Sequence, residues 1–254
     1  MFLILVTAAS LNWFFDPQPA QSAAPVPSAP MRVVVYKFSD SETTDYTTDQ
    51  GGAQYTTNES QGGLAAPPQS STSKSGYSGT MTVDILQVDA SGFIKADVHE
   101  LTDAINQKGE AVSTFVVRPD GTLIVVSATY DNDMTTLMPY FGSSYYAGVQ
   151  LAQGSTWIND STADSMQLET TSTVTNVSGN YVTIQSIQKA KQALMNGSFK
   201  VETKIVYDAP KLVPISVDVL VTRNGSGTTA NAVQRTHYRF DRVSDTLDPA
   251  GNGG

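Results

Sequence analysis

The chain has 254 residues and more acidic than basic side chains, 24 against 15, which gives a formal net charge of −9. It contains no cysteine, which excludes disulfides, thiolate nucleophiles, thiolate metal sites and cysteine-borne lipid anchors. The acidic balance also argues against binding to a nucleic-acid phosphate backbone, so no nucleic-acid partner is predicted.

The N-terminal segment has the features of an export signal. An apolar run over residues 2–15 is short for a membrane-spanning helix, and the small residues 22–24 fit the cleavage pattern of a secretory signal. We predict a signal peptide over residues 1–24, a proline-rich linker over 25–30, and a secreted or periplasmic protein. No Lys or Arg precedes the apolar run, so an uncleaved anchor and a core strand are kept as alternatives.

Residues 31–244 mostly alternate apolar and polar side chains, which is the two-residue repeat of a half-buried β-strand. In the strand that contains Met81 the alternation shifts phase at Leu86, which predicts a β-bulge. The segment from Asn58 to Gly79 is rich in Ser, Gly and Pro and has few apolar residues. It is therefore predicted to form a long loop.

The middle of the chain contains a tight-turn signal and then a change of period. Pro119-Asp120-Gly121-Thr122 favours a hairpin turn between two strands. The apolar residues between Asp131 and Leu151 instead follow a helical spacing. Because Pro139 lies inside this segment, we predict a broken helix near residues 133–146.

The clearest strands lie toward the C terminus. Alternate residues are mostly apolar from Phe199 to Tyr207 and from Val213 to Val221, and the turn between them predicts an antiparallel hairpin. Residues 245–254 are expected to form a disordered tail. The sequence therefore predicts a mostly-β domain over residues 31–244: a single antiparallel, strongly curved meander sheet or half-open barrel with one short broken helix.

Several short motifs follow one another along this domain. They are the strand at Tyr36-Lys37-Phe38, the hairpin around Asp120-Gly121, and the G-x-x-W element Gly154-Ser155-Thr156-Trp157. Their order over residues 32–243 resembles secreted, mostly-β bacterial families of unknown function. The resemblance implies a single extracytoplasmic domain, and it transfers no catalytic residues because such families have none assigned.

Groups that could carry chemistry are few. His99 and His237 fall in polar strand contexts, and no G-x-S-x-G nucleophile pattern occurs. Asp131-Asn132-Asp133 offers oxygen ligands for Ca²⁺ but lacks the rest of a calcium loop, and a turn with a helix cap explains it equally well. Asp97 and Glu100 are candidates for a carboxylate pair that only geometry can establish. We predict a non-enzymatic protein without metal or cofactor.

Aromatic residues near the predicted helix are the most suggestive feature. They could line a ligand pocket on the concave face of the sheet, or they could simply fill the core between helix and sheet. The predicted ligand-lining residues are Met138, Tyr140, Phe141, Tyr145, Tyr146 and Trp157.

From these features we expect an extracytoplasmic, non-catalytic binding protein. Its ligand would be a lipid or another apolar or amphipathic small molecule held on the concave face, by architectural analogy with half-open-barrel carriers of acyl chains. The alternative is a structural or protein-interaction module of the cell envelope, which would use a sheet edge or surface to bind an envelope protein.

Overall fold

A computed structural model gives the fold. It describes residues 30–48, 69–89, 93–103, 109–119, 122–126, 132–142, 149–163, 166–191, 197–211, 213–226 and 230–247. The predicted signal peptide lies outside these ranges, as does nearly all of the linker. Among the described helices, none combines the length and apolarity needed to cross a membrane.

The described ranges form eleven strands and one short helix. The strands are β1 (Arg32–Thr48), β2 (Gln69–Val88), β3 (Ile94–Thr102), β4 (Glu110–Val117), β5 (Leu123–Val125), β6 (Thr156–Ala163), β7 (Met166–Ser178), β8 (Tyr181–Ala190), β9 (Gly197–Asp208), β10 (Val213–Ser226) and β11 (Ala230–Asp245). The helix is α1 (Asn132–Leu137), and it continues as a 3₁₀ turn over Met138–Tyr140. A second 3₁₀ turn, Ala209–Lys211, joins β9 to β10.

All the strands belong to one antiparallel sheet with the order β5-β4-β3-β2-β1-β11-β10-β9-β8-β7-β6. The first and last strands, β1 and β11, are neighbours in the middle of the sheet. One wing therefore runs outward from β1 to β5, and the other runs inward from β6 to β11. The strands at the two ends do not pair with each other, so the sheet is open, and the connection between them carries α1. The predicted open, mostly-β fold is confirmed.

Alternation along each strand separates a buried face from a wet one. In β9, Thr203, Ile205 and Tyr207 are buried whereas Lys204 is exposed. Residues directly opposite each other on neighbouring strands share a face, so Ile205 lies beside its partner Val217, which is also buried. We call the face with the buried side chains the inner face and the opposite one the outer face. Burying each large apolar side chain stabilises the fold by about 1.5–3 kcal/mol.

The inner face curves around α1 and its 3₁₀ turn. Tyr207 of β9 donates a hydrogen bond to the carbonyl oxygen of Tyr140 at 2.7 Å, and the backbone of the same turn approaches β4. β4 and β9 are six strand positions apart in the sheet, which would be roughly 29 Å in a flat sheet at the usual strand spacing. A turn of three residues cannot reach both strands unless the sheet is strongly curved, so the inner face is concave.

The short helix is held by apolar contacts and ended by proline. Met134, Leu137, Met138 and Phe141 have no exposed surface and belong to the core of the inner face. Pro139 lies in the 3₁₀ turn that follows α1, where its missing N–H prevents the α-helix from continuing. The predicted broken helix is confirmed over the residues that the structure describes, and residues 143–148 lie outside them.

The predicted loop over residues 58–79 is wrong for its last part. Gln69 to Gly79 form the first half of β2 and pair with β1, beginning with Gln69 opposite Thr48. Most of this half-strand is exposed, because the sheet here extends past the apolar core. No apolar alternation therefore marked it as a strand. Residues 58–68 lie outside the described ranges.

The register shifts in four of the described strand pairs, and two of these bulges bear on the predicted alternation of side chains. The register between β2 and β3 shifts at Leu86, so the predicted bulge is confirmed. A second bulge, between Pro214 and Ser216 in β10, was not predicted. It takes Ile215 out of the regular alternation, and this side chain is half-buried whereas Pro214 is buried.

The predicted tail over residues 245–254 begins with residues that the structure describes. Asp245 ends β11 and is buried. Thr246 donates its backbone N–H to the carbonyl oxygen of Val33 at 3.0 Å, which holds the turn after β11 against β1. Residues 248–254 lie outside the described ranges.

Candidate functional site

The inner face holds a cavity of about 370 Å³ beside α1. Its floor comes from β1, β10 and β11, and α1 contributes its roof. A volume of this size is at the lower end of the range typical of small-molecule sites. The lining residues are mostly polar: Asp40, Glu42, Thr135, Thr136, Val221, Arg223, Gln234, Thr236 and Tyr238.

Strand register brings the floor residues together. Asp40 of β1 lies opposite Tyr238 of β11. One step further along the strands, Glu42 lies opposite Thr236, which in turn lies opposite Val221 of β10. Since opposed residues share a face, these side chains form two adjacent rows across the inner face. The rows lie where the apolar part of the core ends.

The roof is anchored on two sides. The apolar side chains of α1 are buried in the core, and its half-buried Thr135 and Thr136 line the cavity. At the start of the helix, the hydroxyl of Tyr77 donates a hydrogen bond to Oδ2 of the buried Asp133 at 2.7 Å. A carboxylate in the first turn of a helix is also favoured by the helix dipole. These contacts fix the height of the roof above the strands.

Electrostatics in the cavity are dominated by carboxylates. The pKa of Tyr238 is raised, first by burial and then by the negative charges of Asp40, Asp133 and Glu42. Arg223 acts in the opposite direction but does not outweigh them. At neutral pH the phenol is therefore protonated, so it offers a ligand one hydrogen-bond donor and one acceptor.

The wall on the β10 side carries a cationic and an apolar side chain instead of carboxylates. The guanidinium of Arg223 lies 6.0 Å from the centre of the Phe199 ring, within the range of a cation–π contact. Beside it, Val221 faces its cross-strand partner Val201, and Val201 is half-buried against the core. The cavity therefore has an acidic, hydroxyl-bearing wall at β1 and β11, and Val221 adds an apolar contact at the β10 wall.

The residues predicted to line a pocket lie elsewhere on the inner face. Met138 and Phe141 are fully buried in the core and do not line this cavity. Tyr140 and Trp157 are half-buried and pack against the same core. Two further predicted residues fall outside the described ranges: Tyr145 and Tyr146. The predicted role of these six residues in ligand binding stays a prediction.

Sequence reasoning missed the lining of the cavity itself, although the pattern held a signal. In β1 the inner-face position after Phe38 is taken by Asp40 and the next by Glu42. In β11 the inner-face series similarly changes from Phe240 to Thr236. Polar residues at positions that continue an apolar series indicate that the apolar core ends there, while the inner face of the sheet continues.

Both histidines lie on the outer face, away from the cavity. Nε2 of His237 is 3.1 Å from Oδ1 of Asp218 on the neighbouring strand. Nε2 of His99 is 3.7 Å from Oδ2 of Asp84. Each histidine is therefore matched with a cross-strand carboxylate on the solvated side of the sheet, and the sheet itself separates both from the cavity.

The carboxylates singled out in the sequence do not form a reactive pair. Asp97 points to the outer face, where its Oδ1 accepts a hydrogen bond from Thr114 at 2.6 Å. Glu100 is three residues further on, so it points to the inner face, where it is buried. Among the described residues there is no group of three or more His, Asp or Glu side chains that could hold a metal ion. Asp131 lies outside those residues.

Comparison with known proteins finds no family model that matches this chain and no match among curated proteins. The resemblance to secreted bacterial families therefore stays a prediction.

Proposed function

We propose that this protein is a non-catalytic binding protein that holds a small amphipathic ligand on its concave inner face. The observation that carries the proposal is the cavity of about 370 Å³ between α1 and the floor strands. α1 and its 3₁₀ turn pack on the concave face and leave this space beside them. The predicted export signal supports an activity outside the cytoplasm.

The two walls of the cavity support an amphipathic rather than a purely apolar ligand. Asp40, Glu42 and the phenol of Tyr238 would bind a polar group that carries hydrogen-bond donors. Val221 would contact an apolar part of the same molecule. A ligand without polar groups would remove water from these carboxylates and offer them no hydrogen bond in return, which is costly.

The placement of the histidines supports binding rather than catalysis. The side chains best suited to proton transfer at neutral pH lie on the other face of the sheet. The carboxylates of the cavity are suited to holding donors, and its hydroxyls and amide add further hydrogen bonds.

A titration followed by ¹H–¹⁵N correlation spectra tests the proposal. The probes are octylamine, octanoate and 1-octanol, which share one apolar chain and differ in the charge of the polar group. We expect saturable shifts at Val221, Thr236 and Tyr238 with at least one probe. Thr236→Trp should fill the cavity and abolish these shifts, whereas Ser39→Trp on the outer face should leave them unchanged. Absence of saturable shifts with all three probes would contradict the proposal.

A role as an interaction module is the second candidate, and the free end of the sheet favours it. Within the described residues, β6 pairs only with β7, and it presents eight residues with Ile158 largely exposed. The strand at the other end, β5, has only three residues. An unprotected edge strand of this length can pair with another strand, here β6 of a second copy.

Sedimentation equilibrium tests this second candidate. A dimer that Ile158→Lys converts to monomer would support pairing through β6, because a charge at this position disfavours edge-to-edge association. Val112→Lys, at an exposed position in the other wing, is the control. A monomer at every concentration would argue against self-pairing.

A further inference from the structure

A second space lies on the outer face, on the side of the sheet opposite the cavity beside α1. It is a groove of about 550 Å³ that crosses β7, β8, β9 and β10. An outer face of a curved sheet is expected to bulge outward, so a depression there needs a cause. The register between β7 and β8 shifts at Thr175, which lines the groove, and a bulge of this kind bends the strand and increases its local twist.

Two parallel rows of side chains form the groove. The first row is polar on every strand and consists of Thr173, Gln185, Lys204 and Asp218, each directly opposite the next. The second row alternates and consists of Thr171, Ile187, Glu202 and Leu220. A ligand in this groove would therefore have hydrogen-bonding groups along one side and alternating polar and aliphatic contacts along the other.

The charges of the groove are largely compensated in place. Oε1 of Glu202 lies 2.7 Å from Nζ of Lys200 on the same strand. Asp218 lies directly opposite Lys204, and its Oδ1 is 3.1 Å from Nε2 of His237. Compensated carboxylates act as fixed hydrogen-bond acceptors rather than as a centre of net charge. This arrangement favours a neutral ligand over an anion or a cation.

We propose that this groove binds an extended neutral carbohydrate that lies across the strands. Sugar hydroxyls both donate and accept hydrogen bonds, and they match the mixed donors and acceptors of the first row. The less polar C–H faces of sugar rings would pack on Ile187 and Leu220 of the second row. The strands are about 4.8 Å apart, a spacing close to the length of one pyranose unit. Successive sugars can therefore meet equivalent positions on successive strands.

This site is separate from the proposed ligand cavity, because it lies on the other face of the sheet and shares no lining residue with it. Removal of the inner cavity by Thr236→Trp should leave carbohydrate binding intact. The two proposals can therefore fail independently of each other.

Calorimetric titration of the full chain with maltohexaose, cellohexaose and mannohexaose tests the inference. We expect at least one of them to bind, and we expect Gln185→Ala and Ile187→Asp each to weaken that binding by about tenfold or more. Lys37→Ala, on the outer face of β1 and away from the groove, is the matched control and should have no effect. In ¹H–¹⁵N correlation spectra of the complex, the backbone amide signals that shift should be confined to β7–β10.

Three results would overturn the inference. The first is no heat of binding with any of the three neutral hexamers at millimolar concentration. The second is tighter binding of a charged hexamer, either hexagalacturonate or a chitosan hexamer, since the groove would then select charge. The third is binding that Lys37→Ala weakens as much as Gln185→Ala does, because such binding would not depend on the groove.

Discussion

Arg32 and Asp245 lie 213 residues apart in the chain and form a two-pronged ion pair. Nε of Arg32 is 2.9 Å from Oδ1 of Asp245, and Nη2 makes a second bond to Oδ2. Arg242 adds a contact to Oδ2 at 3.1 Å, and both Arg32 and Asp245 are buried. The pair joins the start of β1 to the end of β11, so it fixes the central register on which the concave face depends.

Breaking this pair should strongly destabilise the fold. We expect Asp245→Asn to lower the free energy of unfolding by about 3–5 kcal/mol, because it leaves a buried guanidinium uncompensated. The exposed pair Arg239–Asp241, at 2.7 Å, provides the control. Asp241→Asn should cost less than about 1 kcal/mol. Urea unfolding measures both variants, and equal effects would contradict a special role for the buried pair.

The same pair should make stability depend on acid pH. Burial alone would raise the pKa of Asp245, but hydrogen bonds from Arg32 and the Leu247 N–H, with the charges of Arg32 and Arg242, hold it below its ordinary value. A lowered folded-state pKa contributes stability that is fully present above the unfolded value, about 3.9, and is lost as pH falls through the folded value.

The difference in unfolding free energy between wild type and Asp245→Asn isolates this contribution from those of other carboxylates. We expect the difference to be constant near neutral pH and to shrink below about pH 4. A difference that does not change with pH would show that the carboxylate is not the titrating group.

The backbones of β2 and β3 approach each other closely at Gly79, so a side chain at this position should be destabilising. A Cβ atom there would lie 2.2 Å from the carbonyl oxygen of Leu101 and 2.7 Å from the ring of Phe38. Because the first of these is backbone, Gly79→Ala should force the strands apart and cost about 1–3 kcal/mol or more. At Gly225, a Cβ would meet nothing within 4 Å. Thermal unfolding should therefore show a clear loss for Gly79→Ala and almost none for Gly225→Ala.

Truncation of Phe141 tests whether this residue, which follows the 3₁₀ turn after α1, fills the core. Phe141 is fully buried and packs edge-to-face on Tyr36 at 6.1 Å between ring centres. Phe141→Ala should cost about 3–5 kcal/mol through the cavity that it leaves. Tyr46→Ala, at a side chain that is 46% exposed, should cost much less. A Phe141→Ala variant as stable as wild type would indicate that the ring does not serve the core.

Local patterns predicted local structure well. The phase shift at Leu86 predicted a bulge, and Pro139 predicted the break in the helix, because each effect arises within a few residues of the chain. The first half of β2 was missed because it lies beyond the core and has no apolar series. The strand β6 was also missed. Trp157 and Ile158 are adjacent apolar residues that face opposite sides of this edge strand, so they do not show the alternation of a half-buried strand.

Long-range relationships could not be predicted from these patterns. The pairing of β1 with β11 depends on contacts such as Arg32–Asp245, and no local feature of either strand specifies its partner. The cavity lining was missed for the same reason, because Asp40 and Thr236 become neighbours only through this pairing. The aromatic cluster near the predicted helix directed attention to Phe141 and to its neighbour Met138, and the structure places both in the core.

The most direct test of the account is to locate a bound octyl probe by intermolecular nuclear Overhauser effects. If the concave face is a binding site for amphipathic ligands, the alkyl chain should show contacts to the methyl groups of Val221, and these should disappear in Thr236→Trp. Contacts only to exposed outer-face side chains such as Ile158 and Ile187, or no contacts at all, would contradict it.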